Sequence, residues 1–203
     1  MSERSSWRRM DAWDGVANPG GLGAAGAADR RLIITPQNNL SIACLIGNEA
    51  DLSASARYFF ERYAVNLPSV PKAVTVDDVT LLWAGPLQWL VLSRQADLPS
   101  RLSADLRRVA AVSDQSDARA VLKMEGTSAR AALAKGCPID LHPRAFRSGD
   151  TAITAIAGMG VQLWQCDDVF YLTVPRSMTR SFWSWLVAAS AEFGLEVKSD
   201  QSS

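Results

Sequence analysis

Two residues of this chain, Cys137 and His142, are five positions apart and could form a thiolate–imidazole pair for nucleophilic catalysis. Cys137 directly follows Gly136, a residue type that often ends helices. Pro138 and Pro143 keep the intervening segment extended, because proline fixes its own φ and restricts the residue before it. We therefore expect the cysteine and the histidine to hold a loop, and we predict no catalytic residue in this chain.

Two pairs of neighbouring carboxylates, Asp77-Asp78 and Asp167-Asp168, could in principle act as a general acid and base. Adjacent residues in a strand point to opposite faces, so the two members of each pair would not converge on one substrate. Aspartate is also common in tight turns. The pattern therefore favours two turns over two acid–base sites.

A glycine-rich stretch at residues 21–26 has the spacing G-x-G-x-x-G, which binds pyrophosphate in dinucleotide folds. That function requires a preceding strand and a following helix. No strand pattern precedes the stretch, and only a few residues separate it from the next strand, so no crossover helix fits. We expect no cofactor on this chain.

Metal-ligating residues are few and dispersed. His142 is the only histidine, and the three cysteines, Cys44, Cys137 and Cys166, are far apart. Zinc sites usually combine cysteine and histidine at short spacing, and disulfide frameworks usually have an even number of cysteines. The sequence thus predicts reduced thiols and no metal site.

The composition is that of a globular protein: the chain has 203 residues, of which 48% are apolar and 21% are charged. Its 21 basic residues balance its 21 acidic residues, so no net field attracts it to nucleic acid or to an anionic membrane. No apolar run approaches the roughly 20 residues that span a bilayer, and the polar start lacks the apolar core of a signal peptide. These features predict a cytoplasmic protein that contacts neither nucleic acid nor membrane.

The elements that must position these residues alternate between period-two and helical patterns. Predicted strands cover residues 32–35, 40–46, 79–83, 89–92, 118–124, 151–157, 161–165 and 169–174. Predicted helices cover 51–63, 98–109, 127–135 and 177–193. Strands and helices occur in the same order twice, which predicts an α+β fold of two similar strand-helix halves sharing one core. We place a flexible N-terminal arm at 1–29, one globular domain at 30–197 and a C-terminal tail at 198–203.

Five residues are candidate contacts to a partner. Trp7 and Trp13 lie in the predicted arm, and large aromatics are enriched at interfaces and uncommon in segments that stay disordered. Trp183 lies off the apolar stripe of the last helix, so it packs either within the chain or on a partner. His142 and Arg144 complete the set. The alternative for the arm is a solvated linker.

Several segments resemble one known family. These are Ser-Asp-Gln-Ser-Asp-Ala-Arg-Ala-Val-Leu at 113–122, Leu-Ala-Lys-Gly-Cys-Pro-Ile-Asp-Leu-His-Pro-Arg-Ala-Phe at 133–146, Val-Pro-Arg-Ser at 174–177 with Ser-Phe-Trp at 181–183, and Gly-Pro-Leu-Gln-Trp-Leu at 85–90. They resemble the gamma subunits of heterotetrameric sarcosine oxidases over most of residues 31–197. The most specific piece is Lys-Gly-Cys-Pro-Ile-Asp-Leu-His-Pro, at 135–143.

This resemblance implies a fold similar to the folate-binding glycine-cleavage T-protein. It also implies alpha, beta and delta partner subunits: alpha would bind NAD and tetrahydrofolate, beta would carry FAD and covalent FMN, and delta would bind zinc. The complex would demethylate sarcosine to glycine with oxygen, releasing hydrogen peroxide and forming 5,10-methylenetetrahydrofolate. The gamma-type subunit would carry no cofactor.

The chain departs from folate-binding relatives at one informative place. T-proteins have a glycine pair just before two acidic residues, one of which holds the pterin, but here residues 158–160 (Gly-Met-Gly) precede Val161 and Gln162. Residues 135–137 (Lys-Gly-Cys) are also similar to a motif of folate-dependent iron–sulfur assembly factors, which Pro138 interrupts. We therefore expect a non-catalytic subunit. The alternative is a stand-alone folate-dependent aminomethyltransferase or an iron–sulfur accessory protein.

Overall fold

The computed structural model describes residues 11–22 and 32–200, which contain twelve strands and four α-helices. The strands are β1 (Gly20–Leu22), β2 (Leu32–Gln37), β3 (Ser41–Gly47), β4 (Ala73–Val76), β5 (Val79–Gly85), β6 (Gln88–Ser93), β7 (Ala110–Asp114), β8 (Arg119–Glu125), β9 (Thr151–Ile156), β10 (Met159–Cys166), β11 (Val169–Pro175) and β12 (Leu195–Val197). The helices are α1 (Leu52–Tyr63), α2 (Leu98–Asp105), α3 (Ala129–Ala134) and α4 (Thr179–Ser190). Short 3₁₀ turns flank α4 at Arg176–Met178 and Ala191–Phe193.

The strands form two sheets that repeat one arrangement. A five-stranded sheet has the order β4-β5-β6-β3-β7, and a seven-stranded sheet has the order β1-β12-β2-β8-β11-β10-β9. Both halves run strand, helix, three strands, helix, strand along the chain. The predicted α+β fold of two similar halves is therefore confirmed. One difference between the halves is that β2 inserts between β8 and β12, whereas β7 pairs directly with β3.

The two sheets pack face to face, with helices on their outer sides. Alternation along β3 shows the arrangement: Ala43 and Leu45 pack with Phe59 of α1, whereas Ile42 and Cys44 pack with Trp164 of the other sheet. The order of layers is thus helix, sheet, sheet, helix. Instead of the one shared core that the sequence predicted, the structure has a core under each pair of helices and a smaller core between the sheets.

Part of the predicted N-terminal arm is packed on the domain. In the described segment 11–22, β1 pairs antiparallel with β12, and Trp13 is 3% exposed. A flexible arm over residues 1–29 is therefore not what the structure shows for this segment, because a buried indole and a strand pairing anchor it. Residues 1–10 and 23–31 lie outside the described residues.

The predicted C-terminal tail also contacts the domain. The Lys198 N–H donates to the Ile34 carbonyl at 2.9 Å. Asp200 forms an ion pair with Arg94, with 3.1 Å between Oδ2 and Nη2. The boundary predicted at residue 197 therefore falls inside the packed structure.

Candidate functional site

The loop after α3 carries the most specific sequence segment and is held against α4. It starts at Gly136, whose carbonyl accepts a hydrogen bond from the Ala157 N–H at 3.0 Å. A Cβ on this glycine would lie 2.5 Å from Cζ2 of Trp185, far inside van der Waals contact. Glycine is therefore required here because the chain passes directly over the indole of α4.

Arg130 of α3 organises the interior of this loop. Its Nη1 donates to the carbonyls of Leu141 and Phe146, and its Nη2 donates to Oε1 of Gln165 at 2.9 Å. The guanidinium carbon also lies 4.8 Å from the centre of the Phe170 ring, a cation–π contact. A charged side chain thus fixes the loop through its backbone. Sequence reasoning missed Arg130, since its partners follow it by up to 35 positions.

Cys137 and His142 are not hydrogen-bonded to each other in this loop. Cys137 is buried, and burial raises the pKa of its thiol, so the thiol stays protonated at neutral pH. His142 is exposed, and its Nδ1 accepts the N–H of Arg144 at 3.2 Å while its own N–H donates to Asp140. The geometry matches the predicted loop-holding role and does not provide an activated nucleophile.

The paired carboxylates have structural roles in turns, as predicted. Asp77 and Asp167 have positive φ, 50° and 52°, in the turns that join β4 to β5 and β10 to β11. Asp78 accepts hydrogen bonds from the Ser93 hydroxyl at 2.5 Å and from the Arg94 N–H at 3.0 Å. Its lone pairs are therefore used in joining the β4–β5 hairpin to the end of β6.

Two of the candidate partner contacts pack on each other within the chain. The Nε1 of Trp13 donates to the Val121 carbonyl at 3.0 Å, and its ring meets Trp183 edge-on with centroids 6.4 Å apart. The N-terminal segment thus covers part of Trp183, the tryptophan that lies off the apolar stripe of the last helix. Trp13 is therefore buried within its own chain, whereas Trp183 is half-buried, and its contact with a partner stays a prediction. Trp7 lies outside the described residues.

His142 and Arg144 remain available at the surface. Both are exposed at the tip of the loop, and Arg147, also exposed, donates from Nε and Nη2 to the Arg144 carbonyl at 3.3 and 3.1 Å. The tip therefore presents an imidazole and guanidinium groups on a backbone that Arg130 holds from inside. A rigid polar surface of this kind loses little conformational entropy when it contacts another chain.

A second exposed feature is apolar. A depression of 410 Å³ lies beside α1 and the β5–β6 turn, where Leu52, Leu67, Trp83 and Leu87 are among its lining residues. Leu52 is 36% exposed there. Contiguous apolar surface of this sort is typical of contacts between proteins.

The sequence pattern of the sarcosine oxidase, gamma subunit family matches residues 47–192. This chain belongs to that family. The sarcosine oxidase subunit gamma of Corynebacterium sp. (strain P-1) is 36% identical over 127 residues, which cover 61% of this chain and 63% of that protein. The protein of the same name from Corynebacterium sp. (strain U-96) is 34% identical over 134 residues, covering 64% and 65%. The chain thus spans less than two thirds of the length of these curated relatives.

Solved structures agree with the family. The fold of this gamma-family chain is similar to a chain of the heterotetrameric sarcosine oxidase from Corynebacterium sp. U-96 in complex with pyrrole 2-carboxylate, with a TM-score of 0.79 and 26% identity. The match covers 91% of this chain and 96% of that one. The glycine cleavage system aminomethyltransferase T from Bartonella henselae shares the fold, with a TM-score of 0.64 at 12% identity, covering 91% of this chain and 56% of that one.

The resemblance implies a pterin-binding carboxylate just after residues 158–160, and the residues present there do not fit that group. Val161 is a buried apolar residue. The Gln162 amide donates to the Trp83 carbonyl at 3.0 Å and to Thr151 Oγ1 at 3.3 Å, so it ties the two sheets together. Neither residue supplies a carboxylate.

Two further findings concern metal ligation and membrane-spanning helices. Within residues 11–22 and 32–200, no three histidine, cysteine or carboxylate side chains lie close enough together to ligate a metal ion. None of the helices in the described part of the chain combines the length and the apolar character needed to cross a bilayer.

Proposed function

We propose that this chain is the non-catalytic gamma-type subunit of a heterotetrameric sarcosine oxidase. The observation that carries the proposal is the fold match to a chain of the Corynebacterium heterotetramer, which extends over 96% of that chain. The family match over residues 47–192 supports the same assignment. The proposed partners are alpha, beta and delta subunits, in a cytoplasmic complex.

The proposed complex converts sarcosine, oxygen and tetrahydrofolate into glycine, hydrogen peroxide and 5,10-methylenetetrahydrofolate. FAD, FMN, NAD, tetrahydrofolate and zinc are assigned to the other subunits. Support for a non-catalytic role comes from the candidate groups themselves, since Cys137 is a buried thiol with a raised pKa and Asp78 is occupied by backbone and hydroxyl donors.

The contribution of this chain is a folded surface for assembly. We assign the tip of the loop after α3, with His142 and Arg144, to the contact with a partner subunit. Both side chains are exposed, and Arg130 holds the backbone beneath them through the carbonyls of Leu141 and Phe146. A preorganised surface favours binding because less conformational freedom is lost on association.

The test is purification from the native host through an affinity tag on this chain. The expected result is a complex with flavin absorbance that forms hydrogen peroxide when sarcosine is added, whereas the chain expressed alone has neither property. Folate-dependent aminomethyl transfer by the chain alone would contradict the proposal and favour the alternative of a stand-alone enzyme.

A further inference from the structure

A cleft of 280 Å³ opens between the two sheets. Gln88 and Leu90 line it from the five-stranded sheet, and Arg119 and Gln162 line it from the seven-stranded sheet. Ile153, also in the lining, is 59% exposed and lies where the cleft meets solvent. The cleft therefore combines a cationic wall with an apolar mouth.

The register of β8 places Arg119 in this space. Val121, two positions further along the strand, packs in the core between the sheets. Since side chains alternate along a strand, Arg119 projects to the same side as Val121. Thr173 is paired with Val121 on β11, and its Oγ1 accepts a hydrogen bond from Arg119 Nη1 at 3.5 Å.

Within the described residues, the half-buried Arg119 side chain has few acceptors for its donors. A guanidinium has five N–H donors, but the Thr173 contact is long, and Nε is buried without an acceptor. No described carboxylate forms an ion pair with it within 4.0 Å. Burial also lowers its pKa. Arg130, by contrast, has three protein acceptors.

We propose that this cleft receives a carboxylate side chain of a partner subunit, which pairs with Arg119 when the complex assembles. The inference rests on the proposed function and adds a specific contact to it. Charge complementarity selects the ligand, because the planar guanidinium fork matches a carboxylate and leaves its donors satisfied. In this proposal, the partner's acidic side chain enters the cleft beside Ile153, and a neighbouring apolar side chain of the same partner packs on Ile153.

The mouth of the cleft favours a protein chain over a free small anion. The exposed Ile153 gains from contact with apolar partner surface, whereas a hydrated ion leaves it in water. Gly160 also lines the cleft, and a Cβ there would meet no atom within 4 Å. A partner side chain therefore has room beside Gly160.

The experiment compares variants in two settings: thermal melting of the isolated full chain, and affinity for the co-expressed partner subunits. Arg119→Met should leave melting unchanged or raise it, because the variant removes a half-buried cation whose Nε has no acceptor, and should weaken affinity at least tenfold. Arg119→Lys should retain part of the affinity. Gly160→Leu should block the cleft and weaken assembly, with Gly160→Ala as its matched control. Arg180→Met, exposed on α4 on the opposite face of the sheet, is the surface control.

Two results would overturn the inference. One is wild-type affinity in Arg119→Met together with a loss of melting temperature, which would mean that the arginine is paired within its own chain. The other is an Arg119-dependent rise in melting temperature on adding millimolar acetate while assembly is unaffected, which would assign the cleft to a small anion. If the wild-type chain itself retains no partner subunit, the proposed function is wrong. That result can be told apart from a failure of the cleft proposal, in which the wild-type chain still assembles.

Discussion

Trp13→Ala tests whether the N-terminal segment is part of the folded domain. The indole is 3% exposed, donates to the Val121 carbonyl at 3.0 Å and contacts Trp183. A buried tryptophan removes about 150–250 Å² from water, which at about 25 cal/mol per Å² corresponds to roughly 4–6 kcal/mol as an upper estimate. The lost hydrogen bond adds about 1 kcal/mol.

The measured loss of stability should be smaller, because residues 11–22 can detach from the domain once Trp13 is truncated. The loss therefore cannot exceed the free energy with which this segment docks on the domain. We expect about 3 kcal/mol in the free energy of unfolding, within the range of about 3–5 for large aromatic truncations. The assay is urea unfolding of the isolated chain, followed by circular dichroism. Trp13→Phe should lose less, because it keeps a ring against Trp183.

The control is Met178→Ala, because Met178 is 43% exposed and surface substitutions usually change stability by less than about 0.5 kcal/mol. If Trp13→Ala also stays within about 0.5 kcal/mol of wild type, the reasoning is refuted, and the segment is an undocked arm.

Two further predictions concern the loop after α3. Gly136→Val should destabilise the isolated chain by more than about 2 kcal/mol in urea unfolding, because a Cβ there would lie 2.5 Å from Trp185. The control is Gly160→Ala, whose added Cβ meets no neighbour and should have almost no effect. Equal stability of the two variants would contradict the packing described. Cys137→Ser and His142→Ala should leave sarcosine turnover of the assembled complex within a few-fold of wild type, because neither side chain is an activated catalytic group; a drop of about a thousandfold with intact assembly would place them in an active site.

Segments with strong local patterns could be predicted from the sequence. The helix predicted over 51–63 is observed as Leu52–Tyr63, and the strands predicted over 79–83 and 89–92 are observed as β5 and β6. The buried face of α1 contains Ser55 and Phe59, whereas its apolar Leu52 and Phe60 are exposed, so the pattern predicted the helix but not its buried face. Short-range information is sufficient there to predict the type and bounds of the element.

The strands that were missed depend on pairing with distant residues. β4, β7, β1 and β12 are only 3–5 residues long, too short for a clear alternation. The helix predicted over 98–109 stops at Asp105, and a turn at residues 106–109 leads into β7, which pairs with β3.

In the candidate site too, features set by neighbouring residues could be predicted, and features set by distant residues could not. The structural role of Cys137 and His142 could be predicted from neighbouring prolines and a glycine. The burial of Trp13 could not, since its acceptor is 108 positions away. The half-buried position of Arg119 could not be predicted either, because an arginine at the start of a strand is usually a surface residue. Only the packing of the two sheets places it in the cleft between them.

The central claim is that this chain works as one subunit of a heterotetramer, and native mass spectrometry of the complex purified through a tag on this chain tests it most directly. The account predicts a mass that equals one copy of this chain plus three different chains, with flavin retained on the partners. A mass that equals this chain alone, or a multiple of it, under conditions in which the partner chains are expressed would contradict the account.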